Sequence, residues 1–471
     1  MPSRQDQLHS YQFTIQRTVA ALVMRETDPV QSPFRRLAGA ALASVLVAAI
    51  GLGGSALYGL FAGGGAKWRD TGAVIVEKES GARFVYREDK LYPVLNYASA
   101  LLIIGAEQPK TVLVSRRSID GVPRGLPLGI ADAPDSLPAA GRLSTGAWTV
   151  CSVGTAADGR RESRSVLLIG DGGDGGRPLG DDGLLLRDPD GRLHLVWHQR
   201  RHLIRDTDRV LAALAATRAR AVPVAAALLN TVPAGTDLAP LDLPGLGEPS
   251  ARVSDARVGD VLLVSNSGGE RQYAVVLRDG LAGITEFQAG LLLARTGQQE
   301  PEQLSLGRFA TLPQLADLVP NGPGAPPNAP PRLATVDSPL LCARVADDAG
   351  AIELRLGVDL PDLAAAPGGA SGAGGASRAG GPVVADHVLV EPGRGAVVES
   401  VAAPGAGGGA ISVVTDLGRR YVLADTGVRA MLGYGEVRPV RLPAGVVSLV
   451  PAGATLDPEA ARHPTTSGRE N

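Results

Sequence analysis

The sequence predicts an α+β, β-rich protein carried on one transmembrane helix. Three observations predict it. The 25 residues from Leu37 to Phe61 include no charged side chain. Gly and Pro together number 96 of 471 residues, about a fifth against a usual ~12%, which favours many turns and short strands over long helices. Four stretches repeat one strand–turn–strand pattern, three of them running on into a helical stretch.

The first element is an amphipathic helix. From Gln5 to Met24, apolar Leu8, Tyr11, Ile15, Val19, Leu22 and Val23 recur at spacings that give one apolar helical face. Ser3 with Asp6 fits an N-cap, and Pro29 disfavours helical geometry at Asp28, so Thr27–Pro29 is expected to end the helix. The polar face is Gln-rich and only weakly basic, which suits a protein partner better than lipid. Leu8, Tyr11, Ile15, Val19 and Leu22 are therefore the expected partner-docking stripe.

The second element is the membrane span. As a helix, Leu37–Phe61 would be about 37 Å long at ~1.5 Å per residue, enough to cross a ~30 Å hydrocarbon core. Residues 1–36 carry Arg4, Arg17, Arg25, Arg35 and Arg36 against Asp6, Glu26 and Asp28. Positive flanks stay inside, which puts the N-terminus in the cytoplasm and about 410 residues outside. The alternative is a cleaved signal peptide, whose apolar run is normally about 7–15 residues behind a short basic region. Within the span, Ala40, Ser44 and Ala48 form a small-residue stripe of the kind that lets helices approach. The expected partition is 1–36 cytoplasmic helix and linker, 37–61 membrane helix, 62–460 outer part, and 461–471 disordered.

The outer part carries the repeats. They begin at Gly81 (GARFVYREDKLYPVLNYASALLI), Gly191 (GRLHLVWHQRRHLIRDTDRVLAAL), Gly269 (GERQYAVVLRDGLAGITEFQAGLLL) and Gly418 (GRRYVLADTGVRAMLGYG). Each reads as a β-hairpin, followed in the first three by a short helix. The starts are 110, 78 and 149 residues apart, so the chain is not a regular solenoid. A second echo matches Val232-Pro-Ala-Gly-Thr-Asp-Leu238 to Val450-Pro-Ala-Gly-Ala-Thr-Leu456. Two stretches look unstructured, Asn321–Arg332 as a Pro-rich extended connector and Ala364–Gly381 as a flexible loop or linker, and Asp457–Asn471 reads as a polar tail. Cys151 and Cys342 both fall outside the membrane, where thiols oxidise. One disulfide closing 191 residues is the natural reading, and two buried free thiols are the alternative.

Several chemistries are disfavoured. A net charge of -2 leaves no footprint for nucleic acid. The 42 Arg to 4 Lys fit a GC-rich genome better than a binding function. His194, His198 and His202 have helical metal spacing, but the alternating text around them is a strand. There, four residues span ~13 Å, and the rings could not converge on a metal. GDGGDGG from Gly170 lacks the alternating ligands and closing Glu of a calcium loop. No GxxxxGK[ST], GxSxG or HExxH occurs. Gly63–Lys67, the nearest approach to a P-loop, lacks the preceding strand and the final Ser or Thr. No catalytic, cofactor or metal residue is expected.

The wording of several segments is more specific. SRQDQLHSYQFTIQRTVAALVMRETDPVQSPFRR from Ser3, LPLGIADAPDSLP from Leu126, AALLNTVPAGTDLAP from Ala226 and VGDVLLVSNSGGERQYAVVLRDGLAGI from Val258 resemble EccB, a membrane component of the type VII (ESX) secretion system. The resemblance covers essentially the whole chain, and the cysteine pair fits the family's outer-domain disulfide. It implies an inner-membrane protein with an elongated outer domain of repeats around a central β-rich core. It also implies assembly with EccC, EccD, EccE and a mycosin protease, and self-association. The expected role is a structural core subunit of the export machine. The family has been labelled ATPase, so an ATPase using ATP is the alternative, with a membrane-anchored cell-wall-binding protein a third reading.

Overall fold

The computed structural model describes residues 3–25, 33–62, 67–107, 109–157, 160–170, 173, 175–265, 268–336, 340–347, 352–361, 383–403 and 405–465. They fall into two compact units. One holds Met1–Asp70, Ile75–Gly81 and Val112–Gly121, and the other the rest.

In the smaller unit the first helix, α1, is Arg4–Met24. Its capping box closes two orphan donors. The Asp6 amide donates to Ser3 Oγ at 3.3 Å, and the Ser3 amide donates to the Asp6 carboxylate at 3.1 Å. The helix stops at Met24, with Arg25 in the left-handed region at φ 55. That is short of the expected stop, and Thr27–Pro29 lie outside the described residues. The second helix, α2, is Pro33–Ala62 and overruns the apolar segment at both ends. Its window Ala38–Ser55 has mean hydropathy 1.8 and is wholly unburied. It is long and apolar enough to cross a membrane.

The larger unit contains four hairpin-then-helix successions. They are Arg83–Arg87 with Lys90–Pro93 and helix Tyr97–Ile104, then Leu193–Trp197 with Arg200–Leu203 and helix Thr207–Ala213. Arg271–Leu277 with Gly280–Ile284 and helix Glu286–Thr296 follow, then Ala410–Val414 with Arg420–Val422 and helix Val428–Met431. Two turns form without glycine: Glu88-Asp89 and His198-Gln199 are both at positive φ, the geometry that matches the twist of a two-residue hairpin. The fourth succession corrects the sequence reading. Gly418 precedes the second hairpin strand, whereas Gly81, Gly191 and Gly269 precede the first. Two residues before the first hairpin strand, where those three stand at positive φ, the fourth succession has Gly408, likewise at positive φ; the likeness of GRRYV to GERQYAV shifted the register by one strand.

The last three successions sit in four-stranded sheets of one strand order. A leading strand (Leu184–Arg187, Val261–Ser265, Ala396–Val401) pairs antiparallel with the hairpin. A return strand (Val222–Pro223, Glu302–Leu304, Val440–Pro443) pairs parallel on the leading strand's other side. A parallel return needs a crossover, and the helix provides it.

The Val-Pro-Ala-Gly echo is a strap along the hairpin edge. In the second copy the Arg201 amide donates to Pro233 O at 2.9 Å. The Gly235 amide donates to Arg201 O at 2.9 Å, and the Leu238 amide to Leu203 O at 2.8 Å. The same three bonds recur for Val450–Leu456 on Arg420 and Val422, and also for Val122–Leu128 on Leu91 and Pro93 and for Leu312–Leu318 on Leu281 and Gly283. The sequence echo marks two of these four straps and leaves the other two unmarked. Each strap covers an otherwise bare strand edge.

One position in the strap trades volume with the strand beneath it. A Cβ at Gly125, Gly235 or Gly453 would overlap the ring of Tyr92, His202 or Tyr421. None of these glycines is at positive φ, so space is the reason for glycine here. The third copy has Leu315 in the strap and Ala282 on the strand, the reverse assignment. Gly453→Leu is expected to cost about 1–3 kcal/mol by overpacking. Adding Tyr421→Ala, which copies the third arrangement, should make the pair less harmful than the two single changes summed. Urea midpoints of the four proteins check this, and strict additivity would refute the packing account.

Between the copies lies a six-stranded sheet in the order His387–Val390, Arg160–Ile169, Trp148–Ala157, Leu341–Val345, Ile352–Val358, Gly175–Pro178. Two hairpins meet at its centre, where Cys151 faces Cys342. The second and third copies are inserted between those hairpins. Each linker leading into a central hairpin crosses to the other half of the molecule. The Ser144 amide donates to Gly395 O at 2.7 Å, just before the fourth copy; the Gly183 amide, just before the second copy, donates to Arg332 O at 2.8 Å. Helices Ala226–Thr231 and Ala444–Val447 pack together under this sheet, in a core with Trp148, Val150, Leu341 and Leu228. Helix Thr207–Ala213 packs on Glu286–Thr296, and Tyr97–Ile104 on Val428–Met431.

Two segments depart from expectation. Asp457–Thr465 is not a tail. Asp457 caps helix Pro458–Arg462, which packs on Tyr97–Ile104, and the Thr465 amide donates to Pro127 O at 3.0 Å. A five-residue helix is too short to show periodicity. The connector Asn321–Arg332 is tied down. Gly324 O accepts from the Thr236 amide at 2.8 Å, and Asn328 O from the Phe287 amide at 2.9 Å. Arg332 forks onto Asp182 at 2.8 and 3.0 Å. Ala364–Gly381 lies outside the described residues.

Candidate functional site

The residues singled out in the sequence fall at three places. The first is the α1 surface. Leu8, Tyr11, Ile15 and Leu22 are exposed at 56%, 66%, 42% and 78%, and Val19 is half-buried. At 100° per residue these five fall within one narrow arc, so the stripe is continuous. Phe13, 61% exposed, lies on the opposite side and was not in the expected set. An exposed apolar stripe is a surface that gains by burial, at roughly 25 cal/mol per Å².

The second place is α2. Ala40, Ser44 and Ala48 align along it, all exposed. The Ser44 hydroxyl donates to Ala40 O at 2.9 Å, so it is satisfied within its own helix and makes no demand on a neighbour.

The third place is the centre of the six-stranded sheet. Cys151 and Cys342 are joined there, both fully buried beside Val166, Leu168 and Val358. Register explains why these two positions meet: Cys342 is the direct partner of Cys151 on the neighbouring antiparallel strand.

The three histidines are held apart. His194 pairs opposite Leu203 and His202 opposite Leu195, so the two rings point to opposite faces of one hairpin, and His198 sits in its turn. His194 Nε2 is 3.2 Å from Asp188, whose carboxylate also accepts from Arg192 Nε at 2.7 Å. Burial lowers the pKa of His194 and outweighs the pull of Asp188. For Asp188, burial pushes upward, but the hydrogen bonds from Arg192 and His194 win and the pKa falls. His202 Nδ1 lies 2.8 Å from Thr236 O, and its pKa is lowered by burial. His198, exposed, stacks on Trp197 with ring centroids 3.7 Å apart.

Two cavities flank the connector. One of about 370 Å³ is lined by Trp197, His198, Arg200, His202 and Pro323. The other, about 640 Å³, is lined by Glu270, Arg271, Tyr273, Thr285 and Glu286. Thr285 caps its helix, accepting from the Gln288 amide at 3.1 Å, which occupies its hydroxyl in structure rather than chemistry.

Comparison with known proteins sets these features in context. The family described as "Type VII secretion system ESX-1, transport TM domain B" (EccB) matches residues 1–466. A Mycolicibacterium smegmatis protein named "ESX-3 secretion system ATPase EccB3" is 30% identical over 481 residues, covering 96% of this chain and 88% of that protein. The Mycobacterium tuberculosis protein named "ESX-2 secretion system ATPase EccB2" is 33% identical over 256 residues, covering 52% of this chain and 51% of that one. A chain of an intact ESX-5 inner membrane complex superimposes with TM-score 0.66 at 26% identity, covering 100% of this chain and 97% of that chain. The EccB3 dimer from the ESX-3 core complex matches with TM-score 0.63 at 28% identity, covering 83% of this chain and 100% of that chain.

Proposed function

The chain belongs to the EccB family of type VII (ESX) secretion membrane components, and from that premise we propose that it scaffolds the secretion complex through three separate surfaces. It is a structural core component of an ESX system, a role that the family match and its likeness to a chain of an ESX inner membrane complex support. The single observation that carries the reading is the match over residues 1–466, which includes α1, α2 and the six-stranded sheet alike. In the finer proposal α1 docks cytoplasmic partners through Leu8, Tyr11, Ile15, Val19 and Leu22. The span α2 fixes the chain with its N-terminus inside, on the evidence of the five flanking arginines. The outer part, four copies of one hairpin module about the stapled sheet, pairs with a second copy. The proposed partners are EccC, EccD, EccE and a mycosin protease, and the solved EccB3 dimer favours self-association.

The test is extraction of the full chain in mild detergent with identification of what co-purifies. Recovery with the other ESX components is expected, and recovery of an isolated monomer would reject the scaffold. A second reading, nucleotide hydrolysis, is favoured by the names of the relatives. Turnover of ATP by the purified chain would establish it, although no GxxxxGK[ST] occurs in the sequence to cradle phosphates.

An uncleaved anchor is the companion prediction. Intact mass of the membrane-extracted chain should include residues 1–36. A mature N-terminus near Ala66 would show instead that the apolar segment is a removed signal.

A further inference from the structure

We propose that His202 is an acid-operated latch that holds the second copy's strap, and through it the Pro-rich connector, in place. Three copies set a ring over a strap glycine: Tyr92 over Gly125, His202 over Gly235 and Tyr421 over Gly453. Of these rings only histidine changes charge near neutral pH.

The hydrogen bonding fixes which nitrogen takes the proton. His202 Nδ1 is 2.8 Å from the Thr236 carbonyl, which can only accept, so the neutral ring carries its hydrogen on Nδ1. Nε2 is then a bare acceptor. It is buried without a hydrogen-bond partner among the described residues, in a residue only 1% exposed. Acid adds a proton from solvent to Nε2. The product is a cation whose new N–H has no acceptor among the described residues, on a ring that is almost wholly buried, and such a group is costly to keep.

The surroundings do little to offset that cost. Arg200 on the same strand disfavours the charge. Asp237 on the strap favours it, but its carboxylate is already paired with Arg205 at 2.7 Å. The facing strand puts Leu195 opposite, and connector residues 319–328 include no ionisable side chain. Burial therefore sets the direction, and the folded pKa lies below the ordinary value. The stabilisation from the neutral ring is full above the unfolded value of about 6.5 and is lost as pH falls from there through the lower folded value.

What the latch holds follows from the next residues. The Thr236 amide donates to Gly324 O, and four residues on, Asn328 O accepts from the Phe287 amide of the third copy. A ring that leaves Gly235 and Thr236 releases the strap, then the connector, and opens the 370 Å³ cavity under Trp197 and Pro323.

Hydrogen exchange on the full chain in detergent, read by mass spectrometry and corrected for intrinsic rates, tests the latch. Between about pH 7.5 and pH 5, peptides spanning 232–238 and 319–332 should lose protection about tenfold or more, while 450–456, under Tyr421, should not. His202→Tyr, the residue at that position in the first and fourth copies, should abolish the loss. His202→Phe serves if the tyrosine variant misfolds, because it too lacks the proton site. His194→Gln should leave the loss intact. Equal loss at 232–238 and 450–456, persistence of the loss in a folded His202 variant, or no loss in the native chain would overturn the proposal.

Discussion

Paired Cys151→Ala and Cys342→Ala changes are expected to lower the larger unit's stability by about 3–5 kcal/mol. Joining residues 191 apart removes much freedom from the unfolded chain, and the chain-entropy model gives a closure of that length about 5 kcal/mol. Burial adds to the loss. Both sulfurs sit in a closed apolar cluster with Val166, Leu168 and Val358, and alanine fills less of it. Whole domains are stable by only about 5–15 kcal/mol, so the change removes a large share. The readout is the urea midpoint followed by fluorescence, to which the fully buried Trp148 on the same strand as Cys151 contributes. Reducing the native chain should move the midpoint the same way. An unchanged midpoint, or two freely alkylated thiols in the native protein, would show that the sheet is not held by this bond.

If α1 docks partners as proposed, Ile15→Asp with Val19→Asp is expected to abolish co-purification with the proposed EccC and EccD partners, and with it export. The two positions lie one turn apart on the α1 stripe. Burying unpaired carboxylates there costs several kcal/mol, enough to undo a helix-sized contact. The capping box of Ser3 and Asp6 and the span α2 are untouched, so the helix should still form and the chain should still insert. Normal co-purification would mean that assembly rests on α2 and the larger unit alone. A chain that fails to reach the membrane would be a separate defect, told apart by fractionation.

How much of this was legible in the sequence depended on how local each signal was. The span and the amphipathic helix are written in consecutive residues, and both helices formed within a few residues of the expected bounds. Three hairpins were readable because Gly81, Gly191 and Gly269 stand just before alternating text. The fourth slipped by a strand because its first strand, Ala410–Val414, lies upstream of the text that looked alike. Leading and return strands were not legible, since a two-residue strand such as Val222–Pro223 has no period. Two straps were missed because only Pro and the final Leu recur in all four, and the glycine becomes Leu315 where the ring becomes Ala282. The bare Nε2 of His202 could not be read at all, because it depends on a carbonyl 34 residues away.

The exchange of linkers between halves bears on how the chain folds while it is being made. Tyr434 donates to Pro138 O at 2.6 Å across 296 residues, and Arg419 pairs with Asp132 at 2.7 Å across 287. The strand bearing Cys151 waits for residues 341–345, and the loop before it waits for Gly395. When the ribosome has finished the second copy, the first half therefore displays open sheet edges whose complements do not yet exist. At about 5–20 residues per second, that exposure lasts on the order of ten seconds or more. Unpaired edges of that lifetime template wrong partners, including the same edge on a neighbouring nascent chain. Crowding of identical nascent chains is therefore the condition under which its yield should fall first.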